Sequence, residues 1–232
     1  MTRPSPRRIV VLGSPGSGKS TFSHALAAGT GLPLVHLDDL YWGPGWRRPT
    51  APEWEHAVER LVAGPHWIID GNFADTVRQR VERADTVILL DRHPWLCAAA
   101  LVRRSLRLRR DALLGRRPRD FVPAGLAVND PPVRSLTALV RKAAGFRDRE
   151  LHRMSPALTA ASAPVLRCRS RRAAAQVLRD LATPAAHPLP AAPGTPVCGC
   201  AQRRRPSGPP PGPSRPPAPS SGPARPVHER ST

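Results

Sequence analysis

The stretch Gly13-Ser-Pro-Gly-Ser-Gly-Lys-Ser20 decides the fold of this chain of 232 residues. It matches the phosphate-binding pattern G-x-x-x-x-G-K-[ST], in which glycines let the backbone turn tightly and point its N–H groups at a phosphate. The pattern assigns Lys19 to the β- and γ-phosphates and the hydroxyl of Ser20 to a magnesium ion. We therefore predict that the chain binds ATP, or another purine triphosphate, together with Mg²⁺. The predicted binding residues are Gly13, Ser14, Pro15, Gly16, Ser17, Gly18, Lys19, Ser20 and Thr21.

The sequence around this loop alternates between short apolar runs and helical patterns. Such alternation is typical of βαβ units that build a mostly parallel sheet. A helical pattern with Phe22 and Leu26 on one face follows the loop, and Thr50 with Glu53 forms a capping box before another helix. A long helix is predicted over about residues 94–110. The predicted strands are residues 8–12, 34–37, 67–70, 86–91 and 164–168.

The composition changes towards the C-terminus. From about Thr183 onward, proline, alanine, serine, glycine and arginine dominate, and almost no large apolar side chain remains. Such a segment cannot bury enough apolar surface to offset the entropy lost on ordering. We expect a flexible N-terminus over residues 1–6, one α/β domain over 7–182 and a disordered tail rich in Pro, Arg and Ala over 183–232. This tail is either a passive extension or a docking arm.

The formal net charge of +19 at pH 7 would suit a polyanionic partner such as nucleic acid. Almost every basic residue is arginine, however, since Lys19 and Lys142 are the only lysines. A genome-wide composition bias produces the same pattern, so nucleic-acid binding is possible but not favoured. No apolar run is long enough to cross a bilayer or to form a signal peptide, and we expect a cytoplasmic protein with no membrane partner.

Four acidic residues follow predicted strands, where the carboxyl ends of a parallel sheet open onto a site. Asp38 and Asp39 follow the second strand, Asp70 ends the third and Asp91 ends the fourth. We predict that Asp70 is directed at the magnesium ion. For Asp91 two interpretations stay open, a second magnesium-directed carboxylate or a cap of the following helix.

Several motifs together resemble the bacterial topology modulation protein family, an adenylate-kinase-like group of P-loop proteins. These motifs are His36-Leu-Asp-Asp-Leu-Tyr-Trp42, Pro44-Gly-Trp46, Trp67-Ile-Ile-Asp-Gly-Asn72 and Asp85-Thr-Val-Ile-Leu-Leu-Asp91. The resemblance covers about residues 7–181. It implies a P-loop NTPase fold of the nucleoside-monophosphate-kinase type, with a five-stranded parallel sheet flanked by helices. It also implies a kinase-like domain over 7–182, with an acceptor-binding segment after the second strand and a basic lid over about 103–130.

The same resemblance implies roles for individual residues. Asp38 would accept a proton from the acceptor, and Lys19 with lid arginines would stabilise the transferred charge. The implied catalytic residues are Lys19, Asp38, Arg104, Arg116 and Arg117. The implied substrate-binding residues are Asp38, Tyr41, Trp46, Arg47 and Asn72, and the implied metal ligands are Ser20 and Asp70. Trp42 and Trp46 could instead fill the core between this segment and the next helix.

Two functions remain open from the sequence. The first is a small-molecule or nucleotide kinase that transfers the γ-phosphate of ATP. The second is a nucleotide-dependent regulator of DNA topology or of a protein partner, without kinase turnover. The arginine-rich stretch over 103–119 suits a lid in the first case and a nucleic-acid patch in the second.

Overall fold

A computed structural model describes residues 6–116, 120–127 and 129–182 of the chain. Residues 1–5 and the predicted tail over 183–232 lie outside the described residues. So does part of the predicted lid, namely residues 117–119 and 128. In the part that is described, no helix is both long enough and apolar enough to span a bilayer.

Five parallel strands form one sheet in the order β2-β3-β1-β4-β5. The strands are β1 (Arg8–Gly13), β2 (Leu34–His36), β3 (Trp67–Asp70), β4 (Thr86–Leu90) and β5 (Val165–Cys168). The central strand β1 pairs with β3 on one side and with β4 on the other. The loop that follows β1 therefore lies where the strand order reverses, which is where α/β sheets form their ligand crevice. The predicted five-stranded parallel sheet is confirmed.

Eight α-helices connect or flank these strands in the described ranges. They are α1 (Lys19–Thr30), α2 (Leu37–Tyr41), α3 (Ala51–Val62), α4 (Val77–Arg83), α5 (Pro94–Leu113), α6 (Leu136–Ala144), α7 (His152–Thr159) and α8 (Arg171–Leu181). The predicted capping box begins α3, where a carboxylate oxygen of Glu53 accepts from the N–H and the hydroxyl of Thr50 at 2.8 and 2.7 Å. Leu37, which was predicted to end a strand, instead begins α2, and α5 continues three residues beyond the predicted end at 110.

The central strand β1 and its neighbours β3 and β4 bury both of their faces, so their apolar residues divide between two clusters. Val10, Leu12 and Ile69 face a cluster that also contains Trp54 of α3 and side chains of α4 and α7. The alternate strand residues face α1 and α8, and they include Ile9, Val11, Ile68, Ile88 and Leu90. Burial of this apolar surface contributes about 25 cal/mol per Å². The result is a three-layer arrangement in which helices cover the sheet on both sides.

A buried arginine organises the loop that follows β3. Arg80 of α4 is fully buried, and its guanidinium donates to the carbonyls of Gly71 at 2.7 Å and Phe73 at 2.9 Å. It also donates to the carbonyls of Asn72 and Thr76. These contacts hold Phe73 at a positive φ of 33°, which is unusual for a residue with a side chain. Burial lowers the pKa of Arg80 to about 9, so the guanidinium still carries its charge at neutral pH.

We predict that Arg80→Met lowers the free energy of unfolding by about 3–4 kcal/mol, because it leaves several buried carbonyls without a donor. Urea unfolding would measure the change. The matched control is Arg78→Met in the same helix. The Arg78 side chain is 81% exposed and pairs with Glu82 on the surface of the helix, so its replacement should cost less than about 0.5 kcal/mol. Equal effects of the two substitutions would contradict the structural role of Arg80.

Candidate functional site

The phosphate loop lies between β1 and α1 and rests on the first turn of α5. Gly18 precedes α1 with a φ of 95°, and the loop is closed by a hydrogen bond from the N–H of Ser17 to the carbonyl of Ser14 at 3.0 Å. Gly16 has a φ of 79°, and a Cβ placed there would lie 2.3 Å from the carbonyl oxygen of Cys97 in α5. Only glycine fits at this contact, so the long helix helps to determine the loop's shape.

Lys19 reaches back over the loop that precedes it. Its Nζ donates to the carbonyls of Gly13 at 2.9 Å and Ser14 at 3.3 Å. Burial lowers the pKa of Lys19, while the negative charges of Asp70 and Asp38 oppose that decrease. The ammonium therefore lies at the start of α1 within electrostatic reach of two carboxylates, where helix N–H groups also favour a bound anion.

Asn72 binds the main chain at the start of the phosphate loop. Its Oδ1 accepts from the N–H of Gly13 at 3.0 Å, and its Nδ2 donates to the carbonyl of Gly13 at 2.9 Å. The side chain is buried, and both ends of its amide are engaged. The turn after β3 thus brings the amide of Asn72 against β1, and its predicted role in binding substrate stays a prediction.

Asp70 has one satisfied and one unsatisfied carboxylate oxygen. Its Oδ2 lies 2.8 Å from Nδ1 of His36, its direct neighbour in the register between β2 and β3. The other oxygen, Oδ1, is buried and has no hydrogen-bond partner in the described part of the chain. The residue is only 4% exposed. An unpaired buried carboxylate oxygen is costly, so this atom is suited to a cation or to a water bound by one.

Asp38 lies in α2, and its carboxylate is bound by the side chain of Trp42, four residues later in the chain. The indole Nε1 of Trp42 donates to Oδ1 of Asp38 at 3.1 Å. Burial raises the pKa of Asp38, and the charge of Lys19 and the hydrogen bond from Trp42 partly offset this increase. Sequence reasoning did not assign this contact to Trp42, because no helix was predicted at residues 37–41, and the i, i+4 spacing is informative only once Asp38 lies in α2.

Of the other residues predicted to bind the acceptor, two pack against neighbouring aromatic rings and one is exposed to solvent. The ring of Tyr41 lies 5.0 Å from that of Trp54 and 4.6 Å from that of Phe73, so the half-buried Tyr41 packs against the apolar cluster. Trp46 packs edge-on against Trp42 at 5.2 Å. Arg47 is exposed.

The segment over residues 120–131 contacts the segment that contains α2 in the described positions. The N–H of Ala124 donates to Asp39 at 2.7 Å, and the N–H of Gly45 donates to Asp130 at 2.8 Å. The indole of Trp46 donates to the carbonyl of Pro131 at 3.1 Å. Part of the predicted lid therefore lies directly against the predicted acceptor segment.

The three predicted lid arginines differ in their surroundings. Arg104 of α5 donates to the carbonyl of Phe121, and the negative charges of Asp120 and Asp38 act on it. Burial lowers the pKa of Arg104. Arg116 is exposed beyond the end of α5, and its side chain makes no hydrogen bond or ion pair with the rest of the described chain. Arg117 lies outside the described residues.

Asp91 pairs with two arginines and so follows neither interpretation that the sequence left open. Its buried carboxylate accepts from Nε of Arg147 at 2.8 Å and from Nη2 of Arg167 at 2.6 Å. Both oxygens are therefore engaged, and His93 rather than Asp91 occupies the N-cap of α5. Arg92, the next residue, reaches the carbonyl of Ser17 in the phosphate loop at 3.5 Å. The end of β4 thus carries positive charge beside the loop.

A phosphate loop after the central strand of a parallel sheet in the order 2-3-1-4-5 identifies the fold. The chain has a P-loop kinase fold. No protein-family model matches it, and no curated protein does either. Solved structures do match, and two of them are shikimate kinases.

The shikimate kinase from Bacteroides thetaiotaomicron is 15% identical, with 76% of this chain and 96% of that chain covered and a TM-score of 0.44. The shikimate kinase from Acinetobacter baumannii, solved with shikimate, is 16% identical, with 75% and 90% covered and a TM-score of 0.43. A gluconokinase from Sinorhizobium meliloti is 23% identical, with 65% and 97% covered and a TM-score of 0.34. These values are too low to indicate a substrate, and the fold assignment rests on the strand order and the loop.

We predict that Asn72→Leu weakens binding of Mg²⁺ with a non-hydrolysable ATP analogue by about tenfold to a hundredfold, because Gly13 loses two hydrogen bonds. Calorimetry without any acceptor would measure the affinity. Asn129→Leu is the control, since Asn129 is exposed and should tolerate the same substitution. If Asn72→Leu left the nucleotide affinity unchanged and weakened acceptor binding, the result would support a role of Asn72 in binding substrate instead.

Proposed function

We propose that this chain is an ATP-dependent kinase that transfers the γ-phosphate to a hydroxyl group of a small molecule. The main support is the placement of Lys19 and Asp38. The two charges act on each other across the site, and each affects the pKa of the other. A kinase needs a cationic cradle for the triphosphate and a separate base for the acceptor, and Lys19 and Asp38 offer a cation and a carboxylate for these two roles.

In the proposed reaction the acceptor oxygen attacks the γ-phosphorus. The bond from this phosphorus to the oxygen that bridges the β- and γ-phosphates breaks, and ADP leaves. The proton of the acceptor hydroxyl passes to the carboxylate of Asp38. Lys19 stabilises the charge that develops on the phosphate oxygens, and Arg104, which lies within electrostatic reach of Asp38, adds a second positive charge.

Magnesium fits the residues beside the loop. Ser20 offers a hydroxyl oxygen at the start of α1, and Asp70 offers a buried carboxylate oxygen that lacks a partner in the described residues. Hard oxygen atoms of this kind are the ligands that Mg²⁺ prefers, directly or through water. When bound, the ion would neutralise the charge of the β- and γ-phosphates.

The acceptor would lie between α2 and the segment over 120–131. Asp38, Trp46 and Arg47 are the residues we propose for this side, and Trp42 orients Asp38 there. The contacts of Ala124 and Gly45 with acidic side chains across these segments support a closed arrangement that limits the access of water. Exclusion of water favours transfer to the acceptor over hydrolysis of ATP.

A nucleotide-dependent regulator remains a second candidate, as the resemblance to the topology modulation protein family implies. It is favoured by exposed arginines of α5, since Arg103, Arg109 and Arg110 form no ion pair with other described residues. A phosphate backbone would neutralise such a group. Salt-dependent DNA binding that Arg103→Ala with Arg110→Ala removes, combined with no turnover on any acceptor, would favour this candidate over the kinase.

We predict that Lys19→Ala lowers acceptor-stimulated ADP release by about a thousandfold, because the charge on the transferred phosphate loses its preorganised partner. A coupled assay over sugars, polyols, hydroxy acids and nucleosides would identify the acceptor. Arg78→Ala is the control, because it removes a positive charge whose side chain is 81% exposed on α4 and paired with Glu82. The absence of acceptor-stimulated turnover across the whole panel would count against the kinase.

The pH dependence should report on Asp38, which must be deprotonated to accept a proton. Because burial raises the pKa of Asp38, kcat/KM should fall on the acid side at a higher pH than an ordinary aspartate would give. Trp42→Phe removes a hydrogen bond that lowers this pKa, so the acid limb should move to still higher pH. An acid limb that does not move in Trp42→Phe would argue against Asp38 as the base.

A further inference from the structure

The contact between His36 and Asp70 joins two buried polar residues at the carboxyl ends of neighbouring strands. Nδ1 of His36 lies 2.8 Å from Oδ2 of Asp70, and the residues are 7% and 4% exposed. They are direct partners in the parallel register of β2 and β3. The contact is therefore fixed by the pairing of β2 with β3. It lies at the same edge of the sheet as the phosphate loop that follows β1.

The hydrogen in this contact can be assigned from its chemistry. An ionised carboxylate only accepts, so Nδ1 of His36 must be the donor. In neutral His36 the other ring nitrogen, Nε2, is then an acceptor, and Nε2 of His24 lies 3.3 Å from it. The ring of Phe121 lies 4.6 Å away on the same imidazole. His36 is thus held by Asp70, by α1 and by the segment over 120–131.

This arrangement leaves the two oxygens of Asp70 in different states. Oδ2 is held by His36, whereas Oδ1 is buried and has no partner among the residues that the structure describes. The charge of Asp70 also acts on Lys19. With Oδ2 held by His36, the carboxylate cannot rotate freely, so the direction of Oδ1 is fixed as well.

We propose that His36 is a positioning residue that orients Asp70 so that Oδ1 faces the magnesium ion bound with ATP. The inference rests on the proposed function, since it concerns the ion that accompanies the nucleotide. Groups that hydrogen-bond to metal-directed side chains commonly change metal affinity tenfold to a hundredfold when they are removed. A purely structural contact between β2 and β3 would instead affect stability without affecting the ion.

A matched pair of substitutions separates these roles. The side-chain amide of asparagine can place an N–H where Nδ1 of histidine lies, whereas that of glutamine reaches the position of Nε2. His36→Asn should therefore keep the hydrogen bond to Asp70, and His36→Gln should lose it. Both replacements are polar, and thermal unfolding would establish that each variant is folded.

The measurement is calorimetric binding of a non-hydrolysable ATP analogue, first without metal and then over a series of Mg²⁺ concentrations. We expect His36→Gln to need about tenfold more Mg²⁺ for half-maximal enhancement of binding, with metal-free affinity changed less than about twofold. His36→Asn should need nearly the same Mg²⁺ concentration as the wild-type chain. His56→Gln serves as the control, because His56 is 63% exposed on α3.

The proposal would be overturned if His36→Gln and His36→Asn had the same Mg²⁺ requirement. It would also be overturned if His36→Gln weakened metal-free and Mg²⁺-dependent binding equally. If His36→Gln does not fold, His36→Phe takes its place, since it keeps a ring but has no donor. A wild-type chain that binds the analogue with no response to Mg²⁺ would refute this inference, whereas no binding of the analogue at all would refute the proposed function.

Discussion

The paired hydrogen bonds between the amide of Asn72 and the peptide of Gly13 are the constraint on which the site depends. They attach the turn after β3 to the point where β1 becomes the phosphate loop. The guanidinium of Arg80 binds the carbonyls of residues 71–73 in that turn. The fully buried charge of Arg80 therefore supports the phosphate loop indirectly, through the side chain of Asn72. Lys19 then returns to the carbonyl of the same Gly13. Strand, turn and helix thus meet at one glycine.

The electrostatics of the site follow from this geometry. The ammonium of Lys19 lies within electrostatic reach of Asp70, which ends β3, and of Asp38, which lies in α2 after β2. Each carboxylate has one neighbour that orients it, His36 for Asp70 and Trp42 for Asp38. We propose that Asp70 serves the metal ion and Asp38 the acceptor proton. Asp91, at the end of β4, pairs instead with Arg147 and Arg167.

Much of the fold could be predicted because its signals are local. Apolar runs marked all five strands, and the capping box at Thr50 marked the start of α3. The site was predicted less completely. Asn72 and Tyr41 are predicted to bind substrate, and the structure adds contacts that the sequence did not predict, with Gly13 for Asn72 and with Trp54 and Phe73 for Tyr41. The partner of Asn72 lies 59 residues away in the chain, so no local pattern could reveal it.

The sequence by itself determined the phosphate loop, the parallel α/β architecture and the acids that follow the strands, because periodicity and turn chemistry act over a few residues. Only the tertiary structure decided which of those acids remain available. Asp91 pairs with arginines 56 and 76 residues away in the chain. Asp70 binds His36 through one oxygen, and its other oxygen has no hydrogen-bond partner among the residues that the structure describes. The availability of a polar atom depends on every group that packing brings within about 3 Å, and that is a property of the folded chain.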